Sequence, residues 1–248
     1  ETEIGYWQLS TACEGISIAC EALETPVTGG NVSLYNESID DEGNKKPIQP
    51  TPVIGMVGVL DNVKQAVSSG WKNINDEIWI IGSKDSGLTL GATSYLEYFH
   101  GQITGRPPSL NLIDEKLCQL FIRNGILNNL IISSHDVSDG GLAIALAESC
   151  ILSDKGASIN LIANERIDSL LFSEGGSRII FSISHMKKNE WLKFVSEESK
   201  NFTDSIYITK IGTVLQDTLK IKISDNIICD LKISTLADKF NNGLSNNF

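Results

Sequence analysis

Histidine is scarce in this chain, its cysteines are scattered, and positive charge is outnumbered. Five cysteines (Cys13, Cys20, Cys118, Cys150, Cys229) include no Cys-x-x-Cys pair. The pattern argues against a disulfide framework and predicts reduced, mostly buried thiols in a cytoplasmic protein. Cys13 and Cys20 fall on one predicted helix, about 10 Å apart along its axis, which is beyond disulfide reach. The three histidines, His100, His135 and His185, do not cluster with any cysteine, so a zinc site is not expected. No apolar run reaches the ~18–20 residues that span a bilayer. The N-terminus, Glu1-Thr2-Glu3, lacks the basic start and apolar stretch of a signal peptide. It also lacks an initiator Met and leads into a helical pattern, so a piece of a longer polypeptide is expected. Lys and Arg number 20 against 31 Asp and Glu, a net charge of -11. So acidic a chain does not offer the basic face that non-specific nucleic-acid binding needs, although a local basic pocket is compatible with it.

What is present suits a globular protein: 248 residues, 41% hydrophobic and 21% charged, enough for one large domain or two modest ones. Apolar residues at spacings of three to four predict a helix over 4–23, ended by Pro26. Residues 38–51 are polar and rich in breakers and read as a surface loop. The apolar run 53–60 reads as a buried strand, and Asp61-Asn62 as the cap of a short helix through Val67. A joint is expected over 68–75. Beyond it, strands are predicted at 77–81, 129–133, 159–163, 178–184, 206–215 and 219–223. Helices are predicted at 94–100, 111–124 with Gly125 as the stop, 140–153 and 187–199. The alternation argues a mixed α/β or α+β domain. The tail 241–248 is expected to fray. No internal repeat is visible.

Three runs could carry chemistry. In Thr25-Pro26-Val27-Thr28-Gly29-Gly30-Asn31-Val32-Ser33-Leu34-Tyr35-Asn36, the glycines allow close backbone approach and offer N–H groups to an anion. Asn31 has a carboxamide oxygen suited to a hard cation, and Ser33 falls on the same side if the run is extended. Alone, this run also reads as a polar turn. The second is His135-Asp136-Val137-Ser138-Asp139-Gly140-Gly141-Leu142, between a strand and a helix. It can attract phosphate at the helix N-terminus, or simply cap that helix through Ser138 or Asp139. In the third, Ser173-Glu174-Gly175-Gly176-Ser177-Arg178, Glu174 and Arg178 could flank a phosphate or pair with each other. The loop 82–91 is no Walker A sequence, since Lys84 precedes the second glycine, and reads better as a strand-to-helix connection.

In this order, and with Pro52-Val53-Ile54-Gly55-Met56-Val57-Gly58-Val59, the runs resemble the C-terminal half of the large synthetase subunit of phosphoribosylformylglycinamidine synthase. The resemblance covers roughly residues 6–212. It implies an α+β fold: the end of a sheet subdomain of the aminoimidazole ribonucleotide synthetase type (1–70), then its complete C-terminal α+β subdomain (76–240). It also implies an ATP- and Mg²⁺-dependent ligase that converts formylglycinamide ribonucleotide to the amidine. Ammonia would come from a glutaminase subunit, beside a small bridging subunit and the N-terminal half of the same polypeptide. By motif match Gly30 contacts ATP, Asn31 ligates Mg²⁺ and Ser33 contacts the ribonucleotide. The family's Ser-His-Asn-His-Pro run, with the catalytic histidine, is not in these residues, so no catalytic residue is assigned here. Where many relatives read Ser-Glu-Ser, this chain has Ser173-Glu174-Gly175. A kinase of the same superfamily and a non-catalytic nucleotide-binding half-module are the alternative readings.

Overall fold

The computed structural model describes residues 3–32, 37–84, 87–163 and 166–243. The chain divides into two compact units, Glu1–Asp61 and Asn62–Phe248. In the first, α1 (Glu3–Leu23) has no buried residue. Glu24, at φ 55°, ends it, with Thr25 N–H bonding back to the Cys20 carbonyl. Residues 38–51 are more ordered than their polarity suggests: β1 (Glu37–Ile39) and β2 (Lys45–Pro47) form an antiparallel hairpin. Asp40 makes this possible. Its Oδ1 accepts from the backbone N–H groups of Glu42 and Asn44, closing the turn at Gly43 (φ 84°). Those donors, Asn44 foremost, hold the Asp40 carboxyl below its ordinary range.

The expected buried strand at 53–60 is not found. The segment is extended but unpaired and exposed, with Val57 fully accessible. Apolar content makes a strand only where another strand completes the ladder, and none of the described residues does so. Next, Asn62 caps a single 3-10 turn, Val63–Gln65, instead of a helix through Val67.

In the second unit, seven strands among the described residues form one sheet, ordered β4-β6-β3-β7-β5-β8-β9. They are β3 (Glu77–Ser83), β4 (Ile131–Asp136), β5 (Gly156–Leu161), β6 (Arg178–Ile183), β7 (Ile206–Leu215), β8 (Thr218–Ile223) and β9 (Asn226–Lys232). All neighbours are antiparallel except β5 and β8. Strand alternation sends Ile78 and Ile80 of β3 to one face and Trp79 and Ile81 to the other. The first face is covered by α4 (Gly141–Ser153), α5 (Ile167–Phe172) and α7 (Ile233–Asn242). The second carries α3 (Leu112–Leu127) and α6 (Lys188–Glu198), around an aromatic cluster centred on Trp191, with Trp79, Phe121, Phe181 and Phe194. A short helix, α2 (Ser94–His100), is held by the ring of Tyr95 stacked on Phe172.

Several sequence expectations need correction. Gly125 does not stop α3, which runs two residues further. It lies inside the helix because Ile131 packs against it, and an added Cβ would come within 2.5 Å of the Ile131 side chain. The buried face of α3 is Asp114, Cys118, Phe121 and Ile122, while Ile113 is exposed. The sequence pattern turns Leu142, Leu146 and Ile151 of α4 inward; Leu142 and Leu146 are buried, but Cys150 is buried in place of Ile151, which is half-buried. The sheet does not finish at Ile223: β9 and α7 follow, and α5 also went unread. Asn241 and Asn242 close α7, and residues 244–248 lie outside the described part.

Asp114 is a fully buried carboxylate that accepts hydrogen bonds from the hydroxyls of Ser83, Thr203 (2.6 Å) and Ser205 (2.5 Å). Burial pushes its pKa up, but the hydroxyls of Ser205, Ser83 and Thr203 outweigh this and hold it below the ordinary 3.8. A depressed carboxylate stabilises the fold above its unfolded pKa, and that stabilisation is lost as pH falls through the lowered value. Asp114→Ala is expected to lower the unfolding free energy by about 2–3 kcal/mol at neutral pH. It should also reduce the loss of stability below about pH 4, because the linked group is gone. Denaturant unfolding of both proteins at neutral and acid pH checks this. An unchanged acid dependence in the variant would contradict it.

All five thiols are free. Burial pushes Cys118 and Cys150 up to about 12, with the negative charges of Glu115 and Asp114 adding to the effect at Cys118. Cys13 is exposed. Thiol labelling of the native protein should modify Cys13 first and reach Cys118 and Cys150 only on unfolding. Under denaturing, non-reducing conditions all five should react, and a persistent shortfall would reveal a disulfide.

Candidate functional site

Two surfaces carry the motif residues, one in each unit. In the first, residues 25–32 run without regular structure. Thr25 Oγ1 donates to the Leu23 carbonyl and turns the chain away from α1. Gly29, Gly30 and Asn31 are exposed. A Cβ added at Gly29 or Gly30 would meet nothing within 4 Å, so internal packing does not require glycine at either position. Gly30 has φ +156°, a backbone that side chains rarely adopt. Asn31 has no hydrogen-bond partner among the described residues. Ser33 lies outside them.

Asn31 offers one hard oxygen donor, which suits Mg²⁺ as a single protein ligand beside phosphate oxygens and water. Among the described residues no group of three His, Cys, Asp or Glu could hold a metal by itself.

In the second unit the other two motifs meet, for a reason other than phosphate binding. Glu174 Oε1 accepts from Gly140 N–H (2.8 Å) and from Ser94 N–H (2.9 Å). Its carboxylate thus sits where an anion would be drawn, at the first residues of α4 and α2. Neither Ser138 nor Asp139 caps α4. Gly140, at φ 76°, is the N-cap without any side-chain bond of its own. A local cap is not needed once a remote carboxylate takes the free N–H. Gly141, at φ 73°, packs on the third motif so tightly that a Cβ would come within 2.6 Å of the Ser173 carbonyl oxygen. The Gly-Gly pair serves backbone on backbone.

Arg178 forms no pair with Glu174. It is buried, with Nε donating to the Gly175 carbonyl and a terminal nitrogen donating to that of Ser173. Burial lowers its pKa, and the nearby Tyr207 counters only in part. It therefore rigidifies the motif-three turn. His135 gains a partner that no sequence spacing revealed: Nε2 lies 3.2 Å from Glu148 of α4 and Nδ1 lies 2.7 Å from the Asp136 carbonyl. Among the described residues the Lys84 side chain reaches the Asp204 carbonyl, at 3.4 Å. Sequence reasoning missed Asp114 and the anchoring role of Glu174, because both depend on donors more than 30 residues away.

Comparison with known proteins gives these observations a context. The phosphoribosylformylglycinamidine synthase subunit PurL of Prochlorococcus marinus strain AS9601 is 63% identical over the whole chain, and that of strain MIT 9313 is 43% identical over 97% of it. The chain spans about a third of their length, 32% and 31%. Among solved structures, T. maritima PurL complexed with FGAR superposes with a TM-score of 0.55 at 17% identity, covering 71% of this chain and 30% of that one. T. maritima PurL complexed with ATP gives 0.54 at 15% identity, covering 71% and 28%. Those two share the fold of this chain. No helix among the described residues is long and apolar enough to cross a membrane. The family model described as AIR synthase related protein, C-terminal domain, matches residues 73–216, more than half of the sequence, and the chain belongs to that family.

Proposed function

We propose that this chain works as part of a phosphoribosylformylglycinamidine synthase. The reaction would convert formylglycinamide ribonucleotide to formylglycinamidine ribonucleotide at the cost of ATP, with glutamine as the amido donor. The observation that carries this reading is the 63% identity to a PurL subunit over the whole length of the chain. The setting would be cytoplasmic. The partners would be the remaining part of the polypeptide, a glutaminase and a small bridging subunit. A solved structure of PurLQS from Thermotoga maritima supports an assembly of that kind. In this reading residues 1–70 belong to a sheet subdomain, whose unpaired run at 53–60 awaits a partner strand, and 76–240 form the α+β subdomain.

Phosphoryl transfer asks a protein mainly for positioning and for neutralised charge. Gly30 would let backbone N–H groups approach the ATP phosphates. Asn31 would hold Mg²⁺, which when bound offsets the charge of those phosphates. Ser33 would donate a hydrogen bond to the ribonucleotide. The exposure of Gly29, Gly30 and Asn31, and the lack of any packing reason for the glycines, support a surface shaped for a ligand. The general base and the other metal ligands are supplied from outside these 248 residues.

Within the complete enzyme, Asn31→Ala is expected to lower kcat by about 10²–10³ with little change in melting temperature. Ser33→Ala should mainly raise KM, by the equivalent of about 0.5–1.5 kcal/mol. Full activity in Asn31→Gly, with normal Mg²⁺ dependence, would rule out the ligand role. The isolated chain, given ATP, Mg²⁺, ammonia and the ribonucleotide, should release no substrate-dependent phosphate. Turnover near that of a complete enzyme would overturn that expectation.

A further inference from the structure

The second unit also holds an open cleft of mixed polar and apolar lining that none of the three motifs enters. Residues 87–91 and 105–109 form two of its walls, and Arg166 and Ser169, at the start of α5, form another. Its volume is about 550 Å³. Among the described residues its charged lining consists of two arginines, Arg106 and Arg166, in a protein whose net charge is -11. Arg166 is held by Asp168, with Nε 3.0 Å from Oδ1 and a second nitrogen 2.5 Å from Oδ2. That pair partly cancels its charge. Arg106 is exposed and has no ion pair among the described residues. An acidic chain that leaves a guanidinium unpaired beside a second one creates a local positive potential.

The cleft is also rigid. The two loops touch glycine on glycine: a Cβ on Gly91 would meet the Arg106 carbonyl oxygen at 2.2 Å, and one on Gly105 (φ +88°) would meet Gly91 Cα at 2.7 Å. Ala92 N–H donates to the Thr104 carbonyl at 2.7 Å and locks that contact. The wall that carries Arg106 is therefore preformed, and little ordering opposes binding. Thr89, Ser109 and Ser169 add hydroxyls to the lining. A guanidinium fork with hydroxyls beside it is a donor set that recognises a tetrahedral oxyanion.

We propose that this cleft binds a phosphate group, free or carried by a small molecule, with Arg106 as its main ligand and Arg166 as a second. The lining of the cleft shares no residue with the Gly29–Asn31 run, so its test does not depend on the role given to that run. Backbone amide NMR of the chain, titrated in turn with inorganic phosphate, ATP and adenosine, reads the cleft at Gly87, Gly91 and Gly105. Phosphate should shift these signals saturably and adenosine should not. Tighter binding of ATP than of phosphate would assign a phosphorylated ligand, and equal or weaker binding free phosphate; both support the site. Arg106→Gln should weaken phosphate binding about tenfold or more, and Arg106→Lys should keep part of it. Because Arg106 is exposed, both variants should fold, and their amide spectra away from the cleft show whether they do. Absence of any saturable shift at these glycines with phosphate or ATP would overturn the proposal. So would equal affinity in a folded Arg106→Gln.

Discussion

One carboxylate organises the motif-bearing side of the second unit. Glu174 accepts the backbone N–H groups of Ser94 and Gly140, and so joins three stretches that lie far apart in sequence. A helix N-terminus leaves donors unsatisfied and carries partial positive charge, so an acceptor there is stabilising whether it is a ligand or a side chain. Here it is a side chain. The surrounding residues follow from that choice. Gly141 must lack a Cβ for α4 to reach the Ser173 carbonyl, and Arg178 fills the turn from beneath with bonds to two carbonyls. In Ser173-Glu174-Gly175 the third residue lends its carbonyl to Arg178.

Behind this surface β3 lies between β6 and β7 and is buried along both of its faces. Side-chain alternation along β3 feeds an aliphatic core on one face and the Trp191 aromatic cluster on the other. Two buried carboxylates are matched by donors. Asp114 gathers three hydroxyls, and Glu77 accepts from Lys210 at 2.7 Å and from Trp79 at 3.2 Å. Burial alone would raise the Glu77 carboxyl, but Lys210, Trp79 and Lys188 together hold it low. Such groups stabilise only as complete sets, since one missing partner leaves a desolvated charge.

Elements whose signal is local were legible in the sequence. The periodic helix α1, the cores of β3, β6, β7 and β8, and the length of α4 need only neighbouring residues to be recognised. Features that depend on distant partners were not. Residues 53–60 look like a buried strand because their composition is that of one, yet a strand exists only with its ladder. Nothing in the sequence singles out Asp114, because its three hydroxyls come from β3 and from residues 203 and 205. The cap of α4 was sought in Ser138 and Asp139, while the acceptor comes from residue 174. Gly125 reads as a stop by helix chemistry alone, and only the nearness of Ile131 shows why a glycine lies inside α3. In the run at 25–32, Gly30 and Asn31 stand out by residue type, and their exposure is what the structure adds.

The central claim is that Glu174 acts as an internal anion for two helix starts, and it is open to direct measurement. Hydrogen exchange at the amides of Ser94 and Gly140 should accelerate together in Glu174→Ala relative to the parent chain. Exchange in the centre of β3 should change only as far as global stability does. Glu174→Gln, which keeps a carbonyl oxygen at the same reach, should retain part of the protection. Unchanged protection at both amides in Glu174→Ala would contradict the claim.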